Sequence, residues 1–427
     1  MRILLKNVSF VLLNPKKIVK DFDILIEDQK IAKVKKRIDE KVEKKIDCRN
    51  KLVMPGLINS HTHLPMILFR GIAEDLPLMK WLKENIWPLE VKLKSKHVYL
   101  GTLMGCIELI KNGITCFGDM YFFGESIAKA VKESGLRALV SCVFLDLLPE
   151  RMGGINTALK TLKKIRRLKC ERVQPWLGPH AIYSCSKETL EFVREISEKE
   201  NLRINIHLSE TKEEIKISLG KYGKRPVEFL ESISFLNPKV TAAHCIHLTK
   251  KEIDILAKRR VKVVYNPTSN LKVCAGIAPI SEIKNKICVA LGTDGAASNN
   301  SLDIFREMKF ASLIQKIRTY DPSAISAKDV LEFSTINGAK ALGLDVGEIK
   351  EGKSADLIIL DLKDISLRPI TTKDSVINNI VYSTTGNSVE TVIVNGEIVM
   401  ENRKIRTLDE EKIVKRAESL VKSLLRL

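Results

Sequence analysis

Aromatic side chains make up only 5% of the 427 residues, and no stretch interleaves them with basic residues. A stacking platform for nucleic-acid bases is therefore missing. No apolar run approaches the ~18 residues that a membrane-spanning helix needs. C-x-x-C pairs are also absent. The nine cysteines, an odd number, come no closer than Cys106 and Cys116. That disfavours zinc ribbons, thioredoxin-type sites and c-type haem attachment, and reads as mostly buried, reduced thiols. The motifs H-E-x-x-H and G-x-S-x-G do not occur, nor does H-x-E with P-C-x-x-C. There is no internal repeat and no low-complexity linker.

Apolar residues at 44% and charged residues at 29% describe a soluble globular chain with enough length for a large core. The net charge of +19 raises the question of an anionic partner. The densest basic stretches, 30–45 and 160–172, are broken by aliphatic or acidic residues, so no nucleic-acid partner is expected. The apolar start, 1–15, is interrupted by Lys6, Asn7 and Asn14 and has no small-residue cleavage site after it. A cytoplasmic protein with no membrane association is expected.

Two kinds of organisation alternate along the chain. The first 50 residues read as short strands at 3–5, 10–13, 22–27 and 30–34, and 356–362 and 389–394 resemble them. Between these ends, eight short apolar runs alternate with helical patterns: 53–58, 114–117, 136–144, 172–177, 202–207, 240–244, 262–265 and 287–292. Helical spacing marks 100–111, 127–133, 187–200, 249–258 and 327–342, and again 408–427. Eight strands separated by helices predict an α/β fold, a parallel (β/α)8 barrel at 53–346. The ends, 1–52 and 347–427, would form a small flanking β-sandwich with a terminal helix.

Five of the seven histidines fall at or just after the C-terminal end of an expected barrel strand, where barrel enzymes carry their chemistry. In extended chain, His61 and His63 point the same way and offer two imidazoles to one ion. His207 ends the fifth run, and Asp294 follows the eighth. Three neutral imidazoles and one carboxylate suit one divalent metal per subunit, zinc or iron, with a position left for water. Glu210, three residues past His207, is placed to take a proton from that water. His244, at the end of the sixth run, could hydrogen-bond the water or a developing charge. His97 and His247 read as ordinary polar residues. The stretch 347–354, GEIKEGKS, matches a P-loop pattern, but helical sequence precedes it, a strand follows, and its two glutamates would repel phosphate.

With these residues in view, the chain resembles the amidohydrolase superfamily. PGLINSHTH at 55–63 is similar to its first-strand signature, and GEIKEGKSADL at 347–357 to its return into the flanking sandwich. Within it the chain looks most like the 5-methylthioadenosine/S-adenosylhomocysteine deaminases. The stretches behind this are HLPM at 63–66, Arg70-Gly71, DLPL at 75–78, GPH at 178–180, HLSET at 207–211 and GTDGAASNNSLD at 292–303.

The resemblance implies His61, His63, His207 and Asp294 as metal ligands and Glu210 as proton shuttle. It makes His244 the histidine near the water, with Asp294 moving a further proton. Glu90 would hold the ribose hydroxyls, a vicinal diol that a carboxylate can accept from twice. His180 would contact substrate, and Arg151 is the one candidate for a carboxylate on the 5′ tail. The implied reaction is hydrolytic deamination of an adenosine nucleoside: 5′-deoxyadenosine, methylthioadenosine, adenosylhomocysteine or adenosine. Related activities on guanine, cytosine or a triazine stand as alternatives. So does a non-catalytic scaffold, although such a chain would usually have lost ligands. Architectures of this kind associate through barrel and loop surfaces, so a homo-oligomer, dimer or tetramer, is expected.

Overall fold

The structure, a computed structural model, describes residues 1–425. Its strands in chain order are β1 (Arg2–Asn14), β2 (Lys17–Glu27), β3 (Lys30–Lys35), β4 (Lys44–Asp47), β5 (Lys51–Pro55), β6 (Leu57–Thr62), β7 (Ile114–Asp119), β8 (Arg137–Phe144) and β9 (Val173–Pro179). There follow β10 (Ile204–Leu208), β11 (Val240–His244), β12 (Lys262–Tyr265), β13 (Val289–Leu291), β14 (Leu357–Asp361), β15 (Val389–Val394), β16 (Glu397–Glu401) and β17 (Lys404–Ile405). Strands β6 to β13 lie side by side in sequence order, every pair parallel. This is the expected eight-stranded barrel.

No strand ladder joins β6 to β13, so side chains and loops close the barrel there. Asn59 exchanges two hydrogen bonds with Thr293: its Nδ2 donates to Oγ1 at 2.7 Å, and its Oδ1 accepts from the backbone N–H at 3.0 Å. The Asp294 N–H donates to the His61 carbonyl at 3.0 Å. Closure thus sets the ends of the first and last strands side by side. Trp176 fills the lower interior, fully buried with Ile58, Cys116 and Leu139. Gly118 makes room for it, since a Cβ there would stand 2.3 Å from the indole ring. The base is packed, and the chemistry is left to the opposite mouth.

Both chain ends share one nine-stranded mixed sheet, in which β14 runs antiparallel to β5 and ties the C-terminal part to the N-terminal part. Its own core gathers Ile3, Val11, Ile24, Val53, Leu357 and Ile393. Four local expectations change. Runs 3–5 and 10–13 are one strand, because Asn7 takes a left-handed φ of 57° and forms a bulge instead of a turn. Run 53–58 divides at Gly56, so that β5 belongs to the large sheet and β6 to the barrel. The helix at 327–342 is two, Ala327–Phe333 and Ile336–Leu342, and the break frees the Ser334 carbonyl to accept from the Ile58 N–H at 2.9 Å. The terminal helix spans Glu410–Leu425, and the last two residues of the expected stretch lie outside the described residues.

Candidate active site

Parallel strands deliver the polar residues to one mouth. His61 is the next-to-last residue of β6, with His63 just beyond the strand, their ring centroids 5.0 Å apart. His207 is in β10, His244 ends β11, and Asp294 comes three residues after β13. His244 and Asp294 hold left-handed backbone, φ 72° and 61°, as do Ser209 and Cys245. Such conformations cost energy in residues other than glycine and gather where function requires a side chain to be re-aimed.

The hydrogen bonds assign the imidazole tautomers. A carbonyl oxygen only accepts, so the proton is on Nδ1 in His63, which faces the Met120 carbonyl, and on Nδ1 in His207, 2.8 Å from the His180 carbonyl. In each ring this leaves Nε2 for a proton or an ion, and the two Nε2 atoms face each other at 3.2 Å. His63 Nε2 lies 3.1 Å, and His61 Nε2 3.5 Å, from Asp294 Oδ1. His61 Nε2 and Asp294 Oδ1 are buried without a hydrogen-bond partner. Bare lone pairs converging on one point are what a divalent cation satisfies. The field there agrees. Burial works against a charged His63, but the Asp294 carboxylate outweighs it and pushes the ring up to about 9.

Ligand atoms of His61, His207, His244 and Asp294 all lie within 4.8 Å of one another. The structure thus brings the four expected ligands together and sets His244 among them as a fifth group. Its Nδ1 lies 2.8 Å from the Asn270 side-chain oxygen, which fixes the orientation of the ring. Glu210 is buried, its Oε1 3.8 Å from His244 Nδ1, and burial raises its carboxyl.

These groups form the floor of a cleft enclosing about 810 Å³, part of it open to solvent. Glu90 and His180 line it, as do Trp81 and Trp87. Glu90 is buried at the end of the short helix Trp87–Glu90, and that burial pushes its carboxyl up to about 7. His180 Nδ1 is 2.8 Å from Ser184 Oγ, and burial holds the ring neutral, down to about 3. Arg151 is the exception. It is exposed, its guanidinium donates to the Val91 carbonyl at 2.8 Å, and Leu147 and Leu148 line the cleft in its place. His97 and His247 make only local contacts, with Lys94 and Ala275.

The amidohydrolase family profile matches residues 52–399. The chain belongs to the amidohydrolase family. A 5-methylthioadenosine/S-adenosylhomocysteine deaminase of Thermococcus sibiricus is 49% identical over 403 residues, 94% of each chain. A 5′-deoxyadenosine deaminase of Methanobrevibacter smithii is 46% identical over 407 residues, 94% of this chain and 93% of that one. Among solved structures, an adenosine deaminase from Xanthomonas campestris with bound zinc superimposes with a TM-score of 0.95 at 30% identity, covering 100% of this chain and 99% of its own.

The residues behind this amidohydrolase's metal cluster carry weaker signals in the sequence. Asp294 Oδ2 accepts from Ser269 Oγ at 2.6 Å and Ser298 Oγ at 2.8 Å, which leaves Oδ1 for an ion. Asn205 stands 3.3 Å from His61 Nδ1. Glu214 accepts from the N–H groups of Ser209 and Glu210 at 2.9 and 2.8 Å and so fixes the loop that carries Glu210. Ser298 lies in a stretch legible as a motif. Ser269 and Asn270 follow the Asn266-Pro267 turn, and nothing in their spacing ties them to Asp294 and His244.

Proposed function

We propose that this amidohydrolase deaminates adenosine nucleosides hydrolytically, water replacing the 6-amino group to give the inosine analogue and ammonia. The observation that carries this reading is the shared lining of one cleft by Glu210, Glu90 and the metal cluster. It joins a group that can move protons to a carboxylate suited to a ribose diol, and a free-base enzyme has no use for the second. The names of the relatives at 46% and 49% identity support it.

His61, His63, His207 and Asp294 would hold one divalent ion, zinc or iron, with His244 beside it. That ion supplies Lewis acidity and an acidified water. Glu210 takes the proton of the attacking water and hands it to the ring nitrogen next to C6. His244 donates to the oxygen arriving at C6. Asp294 passes a further proton to the amino group, the C6–N bond breaks, and ammonia leaves. Glu90 accepts from the 2′ and 3′ hydroxyls, and His180 reaches over the same sugar and base.

The outer cleft is lined by leucines, Phe122 and Trp81, with no lysine or arginine. We infer a preference for uncharged 5′ groups (hydrogen, hydroxyl, methylthio) over the homocysteine tail, which Arg151 could meet only by leaving Val91. We also read residues 1–52, 53–346 and 347–427 as sheet, barrel, and sheet with terminal helix, in a cytoplasmic homo-oligomer. Among the described residues no helix is long and apolar enough to cross a membrane.

The test is ammonia release from adenosine, 5′-deoxyadenosine, methylthioadenosine, adenosylhomocysteine, guanine and cytosine, with and without chelator. Chelator-sensitive turnover of the nucleosides is expected, with Glu210→Gln slower by about 10²–10⁴-fold. Turnover of free bases alone, or of nothing by metal-loaded protein, would overturn the reading.

A further inference from the structure

The helix Ile304–Thr319 buries Phe305, Met308, Ala311 and Gln315 on its inner side. Its outer side carries a second apolar stripe. Phe310, Leu313 and Ile317, with Tyr320 in the turn that ends the helix, are 43%, 42%, 71% and 92% exposed. With Arg306 they recur at alternating intervals of four and three residues, which at 3.6 residues per turn makes one stripe. Lys309, Lys316 and Arg318 flank the stripe, and an exposed apolar patch rimmed by polar residues marks an interaction surface. Among the described residues, nothing in this chain supplies the outer cover.

We propose that a second copy of the chain docks on this stripe, the two helices antiparallel about a two-fold axis beside Leu313. Such a contact is isologous, so the face must be complementary to itself. It is. Phe310 and Ile317 stand at nearly equal distances either side of that axis, so Phe310 meets the partner's Ile317 and Leu313 meets the partner's Leu313. Arg306 in the first turn and Asp321 just past the last are likewise equidistant, and both are exposed. Each end of the stripe therefore brings Arg306, which among the described residues of its own chain has only Asp303 at 3.8 Å, to the partner's Asp321. Lys309 comes opposite the partner's Arg318, a position whose charge Glu282 of the same chain offsets at 2.7 Å. A stable interface takes about 800 Å² from each partner. Four side chains do not expose that much, so the contact has to include these polar rows, and their charge pattern bears on which partner fits. A partner of one charge sign would meet opposite signs at the two ends.

Docking here would also brace the metal site. Glu307 of this helix accepts from the Thr268 N–H at 3.2 Å, next to Ser269 and Asn270, which hold Asp294 and His244.

Sedimentation velocity at micromolar concentration tests the proposal, with circular dichroism to verify folding. The unaltered chain should sediment as a dimer or a multiple of it, and Ile317→Glu or Leu313→Glu should halve the mass. Ile365→Glu, at a position 84% exposed in the other part of the molecule, should leave it unchanged. Arg306→Asp alone should weaken association, and adding Asp321→Arg should restore it. A monomeric unaltered chain, folded stripe variants of full mass, or a charge exchange that fails to restore association would each overturn the proposal.

Discussion

At the scale of single residues, Glu90 and the two serines behind Asp294 make the most direct claims. Burial raises Glu90 to about 7, and the protonated acid is a poor acceptor for a diol. As pH falls through 7, the KM for nucleosides should therefore rise while kcat changes less. Glu90→Gln should raise KM about tenfold and flatten that limb, the loss expected for hydrogen bonds to a charged group. A pH-independent KM in the unaltered enzyme would count against the assignment. Ser269 and Ser298 touch the oxygen of Asp294 that faces away from the ion's position. Replacing both with alanine should weaken metal binding about 10–100-fold, read by competition with a chromogenic chelator. Unchanged affinity would mean that the carboxylate is oriented by its backbone alone.

At the scale of elements, the seam between β6 and β13 matters most. The two hydrogen bonds between Asn59 and Thr293 stand where a ladder would be, and they also set His61 and His63 against Asp294. Asn59→Ala leaves the buried Thr293 N–H unpaired and should cost about 1–3 kcal/mol in denaturant unfolding. Metal affinity should fall with it. The site residues on strand ends were legible in the sequence because alternation along a strand is local: two histidines two apart face one way wherever the strand lies. The fate of Arg151 was not legible. Its loop follows the correct strand, but the guanidinium chose the Val91 carbonyl sixty residues earlier in the chain, a choice made by loop packing.

For the molecule as a whole, the barrel and the sheet are joined by a buried bidentate pair. Arg137 at the start of β8 meets both carboxylate oxygens of Asp356, at 3.0 and 3.1 Å, and the Asn395 side chain at 2.9 Å. Removing one partner of a buried pair strands the other charge, so Asp356→Ala should destabilise the protein by about 3–5 kcal/mol. Thermal and denaturant unfolding would check this, and a loss below 1 kcal/mol would show that water reaches Arg137.

The sequence by itself determined the alternation of strands and helices, the barrel it implies, and the convergence of His61, His63, His207 and Asp294 on one mouth. All of these follow from short-range periodicity and from which end of a strand a residue occupies. The tertiary structure decided that Asn7 bulges instead of turning, that Gly56 is where the chain leaves one sheet for the other, and that His244 stands among these four residues. It also placed Glu214, Ser269 and Asn270 behind them. The physical reason is common to these cases. Each depends on a partner distant in the chain, and distance along the chain says nothing of which buried donor and acceptor will satisfy each other when the barrel closes.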